Sequence, residues 1–121
     1  MQAMTYTRTI IESPYAGDVE LNMRYLNICI RDSILNYREA PFASHLLYTG
    51  ALDDSVGVER EAGMCAGFNW HGVADRVVVY YDLGISNGMT TGIENAEFMG
   101  TPVSYRKLNL TRDDIMGYKL P

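Results

Sequence analysis

Apolar and β-branched positions first cluster over residues 6–13 (YTRTIIES), a run that reads as a strand. It stops at Pro14, whose ring biases the residue before it towards extended geometry. The turn Pro14-Tyr15-Ala16-Gly17 leads to Asp18, a good N-cap, ahead of a helix predicted over residues 19–36. Val19, Met23, Leu26, Ile30 and Leu35 keep helical spacing, while Leu21, Tyr25, Ile28 and Cys29 widen the apolar face well beyond one stripe. A helix apolar over so much of its girth predicts a partner subunit, and hence a homodimer.

Residues 39–44 (EAPFAS) predict a second strand that delivers Ser44 and His45 to its end, followed by a loop over 46–54. Ser55 is placed to cap a helix over 56–71, in which Val58, Ala62, Cys65, Ala66 and Phe68 or Asn69 lie on related faces. The clearest strand is 75–82 (DRVVVYYD), apolar without alternation, as expected of a central strand covered on both faces. Gly84-Ile85-Ser86-Asn87-Gly88 forms a tight loop, Ser86 opens a helix over 87–99, Gly100 ends it, and 101–107 (TPVSYRK) is the last strand. Residues 108–121 are a C-terminal tail, in which Thr111-Arg112-Asp113-Asp114 starts a short helix that docks on a neighbour.

The order β-α-β-α-β-α-β with short connections implies a three-layer α/β domain, flavodoxin-like or Rossmann-like, with a four- or five-stranded, mostly parallel sheet and right-handed crossovers. At 121 residues the chain makes a single domain over 1–121. A formal net charge of -5 disfavours broad binding to nucleic acid or anionic membranes but leaves room for a small phosphorylated ligand. Residues 1–9 lack the apolar core of an export signal, and no run of eighteen apolar residues occurs, which points to the cytoplasm. Cys29 and Cys65 sit in apolar stretches and are expected to be buried and reduced. No CxxC, HxH or HxxxH spacing suggests a metal, and no cofactor is implied.

In an open parallel sheet, ligands bind outside the carboxyl ends of the strands, near the point where strand order reverses. Three strand ends are therefore informative: Glu12-Ser13-Pro14-Tyr15-Ala16-Gly17-Asp18, Ser44-His45, and Asp82 through Gly88. They make Ser13, Pro14, Gly17, His45, Ser86, Asn87 and Gly88 candidates for substrate binding. The first and third lead into helix N-termini, where free N–H groups favour an anion. Gly84 to Gly88 also spells the Gly-x-Ser-x-Gly of a lipase elbow, but His45 and His71 both precede Ser86, so the chain order of that triad fails. Ser86 reads either as a phosphate seat or as a plain helix cap. His45 is a candidate donor or acid–base group, whereas His71 is expected to make a simple structural hydrogen bond. Glu59-Arg60-Glu61 reads as a solvated helix face from which Glu59 or Glu61 could overhang the sheet edge.

Taken together, Glu12-Ser13-Pro14-Tyr15, Glu59-Arg60-Glu61-Ala62-Gly63, Ala74-Asp75-Arg76-Val77-Val78-Val79, and Ser86-Asn87-Gly88 leading into Gly92-Ile93-Glu94-Asn95-Ala96 resemble the nucleoside 2-deoxyribosyltransferase-like superfamily, which includes nucleotide N-glycoside hydrolases. The resemblance runs from Ile10 to about Lys107, and the chain looks like small phage and bacterial members. It implies that Tyr15 lines the sugar pocket, that Ser86 contacts phosphate, and that the nucleophile is a glutamate on the helix after Gly88. That position is Gly92 here. Glu94 lies two residues on, about 200 degrees around a helix, so it does not simply replace a carboxylate at 92. The catalytic candidates are accordingly Tyr15, Glu59, Glu61, Asp82 and Glu94.

Two functional expectations follow. One is an enzyme that cleaves or exchanges the N-glycosidic bond of a nucleoside or nucleotide, in the host cytoplasm if phage-encoded; the other is a non-catalytic nucleotide-binding or sequestering protein, favoured by the missing acid at Gly92. A scaffolding phage protein would explain the apolar helix but not the strand-end motifs.

Overall fold

The computed structural model describes residues 5–121. Of the N-terminal stretch read for an export signal, residues 1–4 lie outside the described residues. Along the chain the elements are β1 (Thr7–Glu12), α1 (Val19–Tyr37), β2 (Glu39–Phe42), α2 (Ser44–Leu47), a 3-10 turn (Tyr48–Gly50), α3 (Gly57–Phe68), β3 (Arg76–Tyr80), α4 (Asn87–Phe98), β4 (Val103–Arg106) and α5 (Arg112–Gly117). The four strands pair in the order β2-β1-β3-β4, all parallel, with Ile10 opposite Val77 and Val79 opposite Tyr105. This is the flavodoxin-like order, and it places the reversal of strand order between β1 and β3.

Successive residues of a strand face opposite sides, and the core divides accordingly. Ile11, Val78 and Tyr80 pack with Leu21, Tyr25, Leu26, Ile28 and Cys29 of α1, whereas Ile10, Val77 and Val79 meet Met89, Ile93 and Ala96 of α4. Helix α1 begins where Asp18 accepts the Leu21 N–H at 3.2 Å, and it ends at Arg38 in the left-handed conformation. Beneath it, Glu39 is fully buried, bonded by Ser33 and by both terminal nitrogens of Arg106 at 2.6–2.7 Å.

The last helix is capped by Thr111 as expected, and it docks on α1 of its own chain. Ile115 is buried in the α1 core, and Arg24 of α1 donates to the Ile115 and Tyr118 carbonyls. Part of the apolar girth of α1 is thereby covered internally, while Ile34, Leu35 and Tyr37 stay exposed.

Four expectations are corrected. β2 stops at Phe42, so Ser44 and His45 begin α2 instead of ending a strand, and the stretch 46–54 contains the end of that helix and the 3-10 turn. α3 is shorter than 56–71, because the chain leaves it after Phe68 in a series of tight turns. Ser55 does not cap α3; its hydroxyl and N–H both bond to Asp53, which draws it into a local turn. Cys65 is exposed, since α3 buries only Gly67 fully, whereas Cys29 is buried as expected. Among the described residues no helix is long and apolar enough to cross a membrane.

Candidate functional site

A pocket of about 340 Å³ opens at the carboxyl end of the sheet, where β1 and β3 part. Of the residues expected there, Ser13, Tyr15, His45, Glu59, Ser86, Asn87 and Gly88 line it. Pro14 is buried beside it, and Gly17 turns the chain into α1 with a φ of +99°.

The first wall is the end of β1 and the turn after it. Asn22, buried in the first turns of α1, donates to the Tyr15 and Ala16 carbonyls at 2.8 and 3.1 Å and so fixes the turn that carries the Tyr15 ring. Tyr15 meets the His45 ring edge-on at 6.3 Å. His45 Nε2 lies 3.0 Å from the buried Ser13 hydroxyl. Burial lowers the His45 pKa to about 4, so the imidazole is neutral near pH 7.

The second wall is the N-terminus of α4. Ser86 caps it as expected, its Oγ accepting the Met89 N–H at 3.3 Å. First-turn amides of a helix have no intrahelical partner, so those of Asn87 and Gly88 are available at the pocket's mouth.

The floor holds a residue that the sequence reading quoted but gave no role, Glu12. Its side chain is only 16% exposed, and burial raises the carboxyl pKa to about 8, leaving it protonated and uncharged at neutral pH. His71 Nε2 stands 3.8 Å from Glu12 Oε2, and burial lowers the His71 pKa as well. The contact therefore joins two neutral groups. His71 makes the structural hydrogen bond expected of it, to the Asn95 side chain at 2.8 Å, and its other ring nitrogen also approaches the pocket's acid.

Gly92 explains how that carboxyl fits. A Cβ there would lie 2.5–2.8 Å from three atoms of the Glu12 carboxyl group, closer than any packed side chain tolerates. The Glu12 carboxyl thus occupies the space at the very position where the resemblance expects a helix glutamate. No local pattern could have announced this, because residues 12 and 92 meet only through the pairing of β1 with β3 and the packing of α4.

Three of the other acidic candidates stand elsewhere. Asp82 is on the α1 side of the sheet, where it accepts the Tyr25 hydroxyl at 2.6 Å and the Leu108 and Leu110 N–H groups at 2.9–3.0 Å. Burial alone would raise its pKa, but those donors outweigh it and hold the carboxyl below the usual range. Glu94 is exposed on the outside of α4, and Glu61 is exposed and does not line the pocket. Glu59 reaches the pocket while accepting the Asp53 N–H at 3.2 Å.

The family model described as Domain of unknown function (DUF7768) matches residues 7–106, from the start of β1 to the end of β4. The chain belongs to that family. No curated protein matches it. The DUF7768 span contains every pocket residue named above, whereas α5 lies beyond it.

Proposed function

We propose that this DUF7768 protein cleaves the N-glycosidic bond of a nucleoside or nucleotide, by hydrolysis or base exchange, with Glu12 as its acid. One observation carries the reading: the largely buried Glu12 carboxyl, whose pKa burial raises to about 8, lines a pocket at the strand-order reversal. As the C1′–N bond breaks, its electron pair passes to the base nitrogen, and the Glu12 O–H gives its proton to that nitrogen. The oxocarbenium-like sugar left behind is met by the Glu59 carboxylate and by Tyr15. Water, or the nitrogen of an incoming base, then adds at C1′ and returns a proton to Glu12, restoring the acid. Asn87 and Gly88 amides with the Ser86 hydroxyl suit a phosphate on the sugar.

The resemblance in the strand-end motifs supports the same chemistry, with Glu12 supplying the acid and Glu59 the carboxylate that Gly92 lacks. Incubating the protein with a panel of nucleosides and nucleoside monophosphates should release free base, seen by chromatography, and Glu12→Gln should abolish release. A nucleotide that binds and is recovered intact after long incubation would favour the sequestering reading instead.

A further inference from the structure

His71 is pinned on every side except one. Its ring packs on Phe68 at 5.6 Å, and its carbonyl accepts the Thr101 hydroxyl at 2.8 Å. Its Nδ1 lies 2.8 Å from the Asn95 side-chain nitrogen, which also donates to the Phe68 carbonyl at 3.3 Å. That second bond identifies the Asn95 atom as the amide NH₂ rather than the oxygen. An NH₂ group only donates, so Nδ1 must accept, and the proton of the neutral ring sits on Nε2. The other nitrogen of the imidazole thus carries an N–H, and Glu12 Oε2 lies 3.8 Å from it.

We infer that Asn95 and His71 form a positioning pair for Glu12, in which Asn95 selects the tautomer and the His71 Nε2–H stands ready for the carboxylate that Glu12 becomes. The inference rests on the reading of Glu12 as the acid. In the resting state both partners are neutral and the contact is loose. Once Glu12 has given up its proton, its charge is left on a floor short of water, and closing the gap to hydrogen-bond distance stabilises it. His71 stays neutral throughout and passes no proton. Tyr15, His45, Tyr48, Asp54, Glu59 and Arg60 also face the pocket, and α4 contributes Asn87, Gly88 and Met89, none of them titratable.

NMR on the whole chain tests this without turnover. Long-range proton–nitrogen correlations of His71 should show the Nε2–H tautomer in the native protein and a mixture in Asn95→Ala; a native Nδ1–H tautomer overturns the inference. Carbon-detected titration of the Glu12 carboxyl should place its midpoint about one unit higher in His71→Leu, a tenfold change in the proton equilibrium. His71→Gln, which keeps a side-chain N–H, should restore much of it. An unchanged midpoint in both His71→Leu and Asn95→Ala overturns the pair even if base is released. Conversely, the expected midpoints without base release from any substrate would leave the pair standing and remove the catalytic reading. With an active substrate, His71→Leu should lower kcat about tenfold, leave KM unchanged and move the alkaline limb upward.

Discussion

Glu12 and Gly92 share one space, the carboxyl of the first filling the volume that any side chain on the second would need. Gly92→Ala should therefore destabilise the protein by about 1–3 kcal/mol, the usual cost of overpacking, and displace the acid. Removing the obstruction in Glu12→Ala/Gly92→Ala should recover most of that loss. Urea denaturation of the two single variants and the double variant checks it: additive losses would mean that the residues do not compete.

Stability should depend on pH through Glu12. Its folded pKa of about 8 lies above the ordinary 4.5, so between those values the native state keeps a proton that the unfolded chain has released. The contribution is fully present below pH 4.5 and is lost as pH rises through about 8. Glu12→Gln should thus gain stability relative to the native protein across that window, by on the order of 3–5 kcal/mol at its upper end. Melting curves of both proteins at pH 5 and pH 8 read the difference; a gap independent of pH would refute it.

His45 works in the opposite sense. Its folded pKa of about 4 lies below the ordinary 6.5, so the unfolded chain binds the extra proton and stability falls as pH drops from 6.5 to 4. His45→Gln should flatten that acid limb while leaving the alkaline one in place, as melting at intermediate pH values would show.

Ser86→Ala separates a cap from a ligand contact. Losing the bond to the Met89 N–H should cost roughly 1 kcal/mol of stability. If the hydroxyl also holds a phosphate, nucleotide affinity should fall by about 1–3 kcal/mol, measurable by calorimetry. Lost stability with unchanged affinity would move the phosphate to the turn at Tyr15, Ala16 and Gly17.

Much of the fold was legible because its signals are local. The Asp18, Ser86 and Thr111 caps, the unbroken apolar run of β3 and the alternation of strands with helices all survive in the structure. What failed depended on partners distant in sequence. α2 has no side-chain cap to announce it, and the outward position of Cys65 follows from how lightly α3 packs. Asp82 looked like a strand-end acid, yet the residues that engage it lie up to 57 positions away. Strand-end logic alone named Ser13, Tyr15, His45, Ser86, Asn87 and Gly88, which line one pocket, but Glu12 and His71 acquire their meaning only from each other, from Gly92 and from Asn95.

The clasp on Asp82 bears on where this unit may be cut. The carboxylate ties Tyr25 near the start of the chain to two amides just past β4, and beyond them Ile115 is buried in the core against α1. A fragment trimmed to the matched span 7–106 would strand an ionised Asp82 without its amide donors and open the α1 core to water. The boundary of the family match and the boundary of the packed core are different lines, and expression of the shorter piece should give an aggregating or molten product where the chain through residue 121 melts as one unit.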